Sequence, residues 1–427
     1  MLELDCGAEY DAGNNAGGAN DADFFSALPP RAGVLLFEMK DARAQPYLAR
    51  TADIRRAAER LLRPPEEFSK RLNLREVAAR IRYRVTGSKF EQTLTLYHQS
   101  RALFPHRYRD VMRLRPPALL KVNLRNSYPR CYVTRGIRAD EAFYFGPFLS
   151  RRVADAFAEG LLDLFKTRRC QIRILRDPSF PGCIYSEMKM CLAPCFAGCT
   201  KDAYDAEVAA LLETLETTGS ALIERYESER LDASESLDFE RAAAIHKRIE
   251  KASAALRGLP EIARRIGRLD AVLLQRSAEE KTVVVFPVRS GIIGEPLFLR
   301  FGEISSQPRS VEAIMRQALD ANESSSASAA GSSPRDDAPD VSHTPDSRPA
   351  STIESAPPAS LRERYGLRAA PPELSDHLSI LARWFYAKPR EGELFFREAD
   401  WPYRRILRAC GRLLAPPETA AEDPPSP

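Results

Sequence analysis

Tyr144-Phe145-Gly146-Pro147-Phe148-Leu149-Ser150 marks a change of period in the chain. Before it, residues 118–124 and 130–134 alternate in the manner of two β-strands. The Gly146-Pro147 pair predicts a turn, and a helix is expected from about residue 152 to 165. Strands handing over to helices, with no internal repeat, make the chain α+β and multidomain.

Upstream, residues 31–64 read as strand, turn, strand and helix. Val34-Leu35-Leu36-Phe37 is a short apolar run, Lys40-Asp41-Ala42-Arg43 supplies the turn, and Tyr47-Leu48-Ala49 resumes the strand. A helix over 52–62 is stopped by Pro64-Pro65. Residues 72–112 are predicted helical with one interruption at Gly87-Ser88, so 31–112 forms a first domain and 113–200 a second. Downstream, 201–257 is predicted as a two-helix hairpin. Leu212, Leu215, Leu222, Ile223 and Tyr226 share a face of the first helix, a break falls at 232–236, and Phe239, Ala242, Ala243, His246 and Ile249 mark the second. A short β region over 258–321 follows. Residues 322–360, poor in large apolar side chains, are expected to be a disordered linker. A separate small module over 361–414 has helices near 377–386 and 403–413 and a core of Trp384, Phe385, Phe395, Phe396 and Trp401. Residues 1–30 and 415–427 read as tails.

The composition, 44% hydrophobic and 29% charged, is that of a soluble globular chain. No apolar run reaches membrane-spanning length, and the acidic first thirty residues lack a secretory pattern, so a cytoplasmic location is expected. The formal net charge of +4 conceals an asymmetry: residues 41–140 hold 23 Lys+Arg against 9 Asp+Glu, whereas 201–257 hold 8 against 13. The basic block suggests a phosphate-binding surface, with Arg82, Arg84, Arg107, Arg109, Lys121 and Arg125 as candidate DNA-binding residues. Tyr83, Tyr108 and Tyr128, flanked by arginines, are candidate stacking platforms. Five of the eight cysteines, Cys170, Cys183, Cys191, Cys195 and Cys199, fall within thirty residues, which points to a metal site before a disulfide framework. Spacing alone leaves zinc and an iron–sulfur cluster both open.

Three consecutive features carry a resemblance: the Tyr144–Ser150 stretch, the cysteine cluster, and Leu237-Asp238-Phe239-Glu240-Arg241-Ala242-Ala243 in the hairpin. In this order they resemble the UvrC excinuclease family over residues 31–303, and the chain reads as a shortened relative. The family's ribonuclease-H-like endonuclease and tandem helix-hairpin-helix region are not expected within it. The resemblance implies that Cys170, Cys183, Cys191 and Cys195 hold a [4Fe–4S] cluster, zinc being the alternative. It also implies that the hairpin docks a UvrB-like helicase through Leu237, Phe239, Glu240, Arg241, Ala242, Ala243 and Ile249. His246 is expected to be a packed core residue.

The first domain resembles GIY-YIG nucleases, whose tyrosines, arginine and glutamate act around one divalent cation. Here Leu35 stands at the first tyrosine, Ala49 at the second motif's glycine, Ala57 at the arginine, Leu96 at the metal-binding glutamate and Arg109 at the final asparagine. A leucine can neither take nor give a proton. The resemblance therefore implies a degenerate nuclease domain and a non-catalytic repair accessory that binds damaged or distorted DNA. Two alternatives stand beside it. One is an active Mg²⁺-dependent excinuclease built on Tyr47, Arg50, Arg55 and Glu91; the other is an interaction protein binding RNA or another acidic partner.

Overall fold

The computed structural model describes residues 6–9, 19–64, 71–302, 310–328, 359–367 and 369–415. Most of the linker expected at 322–360 lies outside them, although a helix runs into its start. The fold is α+β, with three small antiparallel sheets and helices between them.

The first sheet holds β1 (Cys6–Glu9), β2 (Gly33–Met39), β3 (Tyr47–Thr51) and β4 (Ala78–Val85) in the order β1-β4-β2-β3, with α1 (Ala19–Ala27) and α2 (Ile54–Leu62) on one face. Residues 72–112 were expected to be helical, yet β4 is a strand in the middle of this sheet. Ile81, Tyr83 and Val85 alternate with Arg80, Arg82 and Arg84, a period of two masked by the long arginine side chains. Leu35 and Phe37 face α1 and α2, while Val34 and Leu36 face the opposite way, toward Leu96 and Leu103 of α3 (Lys89–Leu103). A short α4 (Tyr108–Val111) follows. The cap of α3 is reciprocal: Ser88 Oγ accepts from Glu91 N at 3.1 Å, and the Glu91 carboxylate accepts from Gly87 N at 2.9 Å.

The second sheet is built from β5 (Ala118–Val122), β6 (Cys131–Thr134) and β7 (Phe143–Phe148), with α5 (Arg151–Leu162) against it. The Gly146-Pro147 turn is absent: both residues lie in β7, which buries Phe143, Phe145 and Phe148. Gly146 is required there, since its φ is +147° and a Cβ would lie 2.7 Å from Leu119 Cδ2.

After the cysteine segment with α6 (Ile184–Glu187) come α7 (Lys201–Glu216), α8 (Ser220–Glu235) and α9 (Phe239–Leu256). The two-helix reading of 201–257 is thus corrected to three. Gly219 (φ +96°) breaks the first helix, where an added Cβ would sit 2.2 Å from Leu256 Cδ1. Residues 232–235, expected to be a break, remain helical. The chain then returns to the second sheet as β8 (Arg264–Arg265), paired with β7.

The third sheet joins β9 (Ala271–Arg276), β10 (Thr282–Arg289), β11 (Ile292–Ile293), β12 (Leu297–Arg300) and β13 (Glu393–Phe396). Helices α10 (Val311–Ser328), α11 (Ala359–Tyr365), α12 (Leu374–Phe385) and α13 (Tyr403–Leu414) complete the chain. Because β13 pairs with β9, the β region and the C-terminal module, separate in the sequence reading, form one sheet. Its sides bury different aromatics: Trp384 and Phe396 on one, Phe395 and Trp401 on the other, with Phe385 only partly covered.

One side is the junction of the molecule. Phe90, Leu94 and Tyr97 of α3 pack there with Leu119 and Tyr144 of the second sheet, Leu273 and Phe286 of the third, and Leu378 of α12. Buried Asp376 accepts from Tyr108 Oη at 2.7 Å and Arg109 Nε at 2.9 Å, locking α12 to α4. His377 Nδ1 beside it accepts from Ile293 N at 3.1 Å.

His377 is 5% exposed, and burial, then the neighbouring His98, pushes its pKa down from 6.5 to about 4. A histidine kept neutral in the fold contributes stability that is complete above pH 6.5 and is lost as pH falls toward 4. Unfolding by denaturant should therefore show stability falling by up to about 1.4 kcal/mol per pH unit from this residue across that window. His377→Gln should flatten the dependence; an unchanged slope would remove His377 as its source.

Candidate functional site

The proposed nuclease residues do not converge. Strand alternation places Tyr47 on the α2 side of the first sheet, its ring edge-on to Phe37 with centroids 5.9 Å apart. Arg50 pairs with Val34 across the ladder and so lies on the α3 side, in a cavity with Lys89 and Thr93. Arg55 donates to the carbonyls of Leu28 and Ser26, both at 2.8 Å, anchoring the segment after α1. Glu91 is buried, caps α3 and stands 3.8 Å from Arg84. Tyr47 and Glu91 therefore sit on opposite faces of one sheet and cannot share a metal or a water.

Much of the basic block is neutralised internally. Arg82 pairs with Glu38 at 3.7 Å and Arg125 with Glu141 at 3.5 Å. Arg109 serves buried Asp376, and Lys121, itself buried, pairs with Asp140. Lys121 also lies over the Tyr144 ring at 5.1 Å. Of the six candidates, Arg107 is exposed with no carboxylate partner among the described residues. The tyrosines pack instead of offering faces: Tyr83 joins the first sheet's core, Tyr108 binds Asp376, and Tyr128 lies edge-on to Tyr204 at 5.2 Å.

The cysteine segment is held from below. Arg168, buried, donates to Tyr128 O at 2.8 Å and Ile172 O at 2.7 Å, and Asp177 N donates to Cys195 O at 2.9 Å. Ala193 and Ala197, at φ +57° and +61°, turn the backbone around Cys195. Burial pushes the Cys191 thiol up to about 11, and Cys170, Cys183 and Cys195 add to that rise. Among the described residues, no three His, Cys, Asp or Glu side chains stand in ligand geometry. An all-thiol donor set of this kind suits zinc or an iron–sulfur cluster. The Cys199 thiol is raised by burial, eased by Arg176 and raised again by neighbouring Cys195.

The α8–α9 hairpin has two distinct stripes. Ile245 and Ala252 are buried, with Ala242 and Ile249 partly buried beside them against the core. Phe239 (66% exposed) and Ala243 turn to solvent with Glu240 and Arg241. Leu237 (72% exposed, φ +59°) and Leu231 (56% exposed) extend the apolar tip. The single face expected for Phe239, Ala242, Ala243, His246 and Ile249 is therefore split, and Ala242 and Ile249 are inner residues. His246, expected in the core, is exposed and 3.6 Å from Glu250. The helix is narrower in its apolar stripe than the sequence reading allowed. Leu231, absent from that reading, shows itself only once α8 and α9 are set side by side.

Comparison with known proteins agrees with this layout. Residues 118–214 match the family described as UvrC/Cho excinuclease, middle domain, and residues 220–255 match the UvrB/uvrC motif. The UvrABC system protein C of Dehalococcoides mccartyi is 28% identical over 289 residues, 66% of this chain and 47% of that protein. That of Methanothermobacter thermautotrophicus is 29% identical over 297 residues, 68% and 48% of the two chains. That of Carboxydothermus hydrogenoformans is 25% identical over 283 residues, 65% and 46%. No solved structure matches. The chain spans about half the length of these curated relatives. The middle domain built on β5–β7 and α5, and the helical hairpin directly after it, are thus the parts of the chain that match the UvrC family, and the similarity to its members extends over about two thirds of the chain.

Proposed function

We propose that the chain acts in nucleotide excision repair as a DNA-binding accessory that docks a UvrB-like helicase and performs no incision through its first domain. The observation that carries this reading is the apolar tip of Leu231, Leu237 and Phe239, rimmed by Glu240 and Arg241, on a hairpin in the family's docking motif. Three large apolar side chains left in water at one end of a helix pair are an unsatisfied interface, with an anchor and a charged rim. The split of Tyr47 and Glu91 across a sheet supports the absence of phosphodiester hydrolysis there.

The cysteines complete the reading. Cys170, Cys183, Cys191 and Cys195 would hold a [4Fe–4S] cluster or zinc. Such a centre, when bound, supplies a four-thiolate cross-link and, if iron–sulfur, one-electron redox chemistry. The chain's own part is to carry these cysteines on both sides of α6, in a segment that Arg168 ties to the carbonyls of Tyr128 and Ile172. Each thiol must lose its proton to bind, so loading is more complete as pH rises.

Leu237→Ala/Phe239→Ala should weaken binding to purified UvrB by about thirtyfold or more, since both act as buried anchors. Its melting midpoint should hardly move because both residues are exposed in the free chain; equal UvrB affinity would sink the docking reading. Incubation with damaged duplex, UvrA, UvrB, ATP and Mg²⁺ should give no nicks from the first domain. Nicking that disappears in Tyr47→Phe would instead establish an enzyme. Anaerobic purification should yield bound iron and sulfide, or zinc, at one centre per chain, lost in Cys191→Ser; a metal-free wild-type chain would exclude the centre.

A further inference from the structure

Much of the basic block is paired to carboxylates, and several of the other cations gather in one place. Arg50 from β3 and Lys89 from α3 line a cavity of about 160 Å³ beside α12, and Arg113, Arg115 and Arg135 line its neighbour of about 380 Å³. Arg383 of α12 lines both, so the two form one groove along that helix. All six side chains belong to exposed residues. Among the described residues, none of the five arginines has a carboxylate partner, and the larger cavity has no acidic lining residue. The one acid in the smaller cavity, Glu391, already accepts from the backbone N of Lys89 at 2.9 Å and pairs with its ammonium at 3.2 Å.

Arg383 is fixed by neutral acceptors alone, Met112 O at 3.4 Å and Arg113 O at 2.8 Å. Burial and the facing Arg50 both disfavour its charge. Guanidinium groups brought together without a counter-charge repel each other, and a bound anion relieves that cost. The aromatic residues along the groove are covered: Phe90, Phe148 and Trp384 are buried, and half-buried Tyr386 lies edge-on to Phe385 with ring centroids 5.1 Å apart. The groove thus offers charge without free rings for stacking.

We propose that this groove is a track for consecutive backbone phosphates of a DNA strand, read without base specificity. The proposal deepens the DNA-binding part of the function above and rests on it. It draws on four separate parts of the chain, β3–α3, the segment entering β5, the residue after β6, and α12, of which only Arg135 after β6 lies within the matched family segments.

The test is binding of a labelled single strand and of the matching duplex by the full chain over a series of salt concentrations. Arg50→Gln/Arg115→Gln/Arg135→Gln should bind at least about tenfold more weakly and lower the slope of log affinity against log salt by about 2 to 3, the count of phosphate contacts removed. The matched triple lysine variant should keep the wild-type slope, and Arg125→Gln/Arg300→Gln, which removes paired cations elsewhere, should bind as wild type. Steep salt-dependent binding by the wild type that the triple glutamine variant leaves unchanged overturns the groove but not the DNA-binding function. A wild type that binds neither strand nor duplex at low salt overturns both. Displacement of the strand by polyglutamate as effectively as by unlabelled DNA would assign the groove to an acidic protein and overturn the proposal.

Discussion

Helix α3 is the element on which the rest of the molecule is built, because it is apolar on opposite sides. Leu96 and Leu103 close the first sheet over Val34 and Leu36, while Phe90, Leu94 and Tyr97 enter the junction with the second and third sheets. Each buried aromatic or leucine there contributes about 1.5–3 kcal/mol of burial, so neither contact can be given up alone. A helix used in this way has little face left for solvent. It also explains why a position that the nuclease resemblance assigns to a metal-binding glutamate is a leucine: Leu96 is packed on both sides.

The same requirement governs charge. A helix that brings three sheets together also brings their polar ends together, and these are satisfied by specific partners. Asp376 gathers Tyr108 and Arg109, and Lys121 meets Asp140 beneath the ring of Tyr144. Buried ions must be paired or leave the interior. Several cations without such a partner stand at the rim of the junction, where Arg50, Arg113, Arg115, Arg135 and Arg383 line the groove along α12. The assembly of the core and the siting of an electropositive surface are two results of one packing problem.

The readable parts of the sequence were those in which local pattern and tertiary burial agree. The strands at 118–122 and 131–134, the helices α5, α12 and α13, and the helical character of 201–257 follow from period and caps. The misread parts are where a partner distant in sequence decides. Arg80, Arg82 and Arg84 hide the alternation of β4, which becomes a strand because β1 and β2 flank it. His246 is outward because Ile245 and Ile249 already fill the inner stripe. A count of basic residues likewise could not show that Glu38, Glu91, Asp140, Glu141 and Asp376 would pair with five of the six candidates, nor that Arg383 would join Arg50 across more than three hundred residues. The clustering of the cysteines is legible as spacing alone, and Leu237 and Phe239, named from the resemblance as docking residues, prove to be exposed in the fold.

Helices α7, α8 and α9 carry the chain away from the cysteine segment and return it to the second sheet at β8. At their base Arg265 pairs through β8 with Phe145, while its guanidinium reaches Glu216 at 3.3 Å and Lys251 donates to Asp163 O at 3.0 Å. The hairpin is therefore a cantilever clamped at both roots, projecting about 24 Å over the sixteen residues of α8. A load applied at Phe239 reaches the sheet as a bending moment and is not absorbed by a swivelling tether. A partner held at the tip is thus held at a fixed bearing to the body of the protein, so its orientation is set by the fold at the moment of capture.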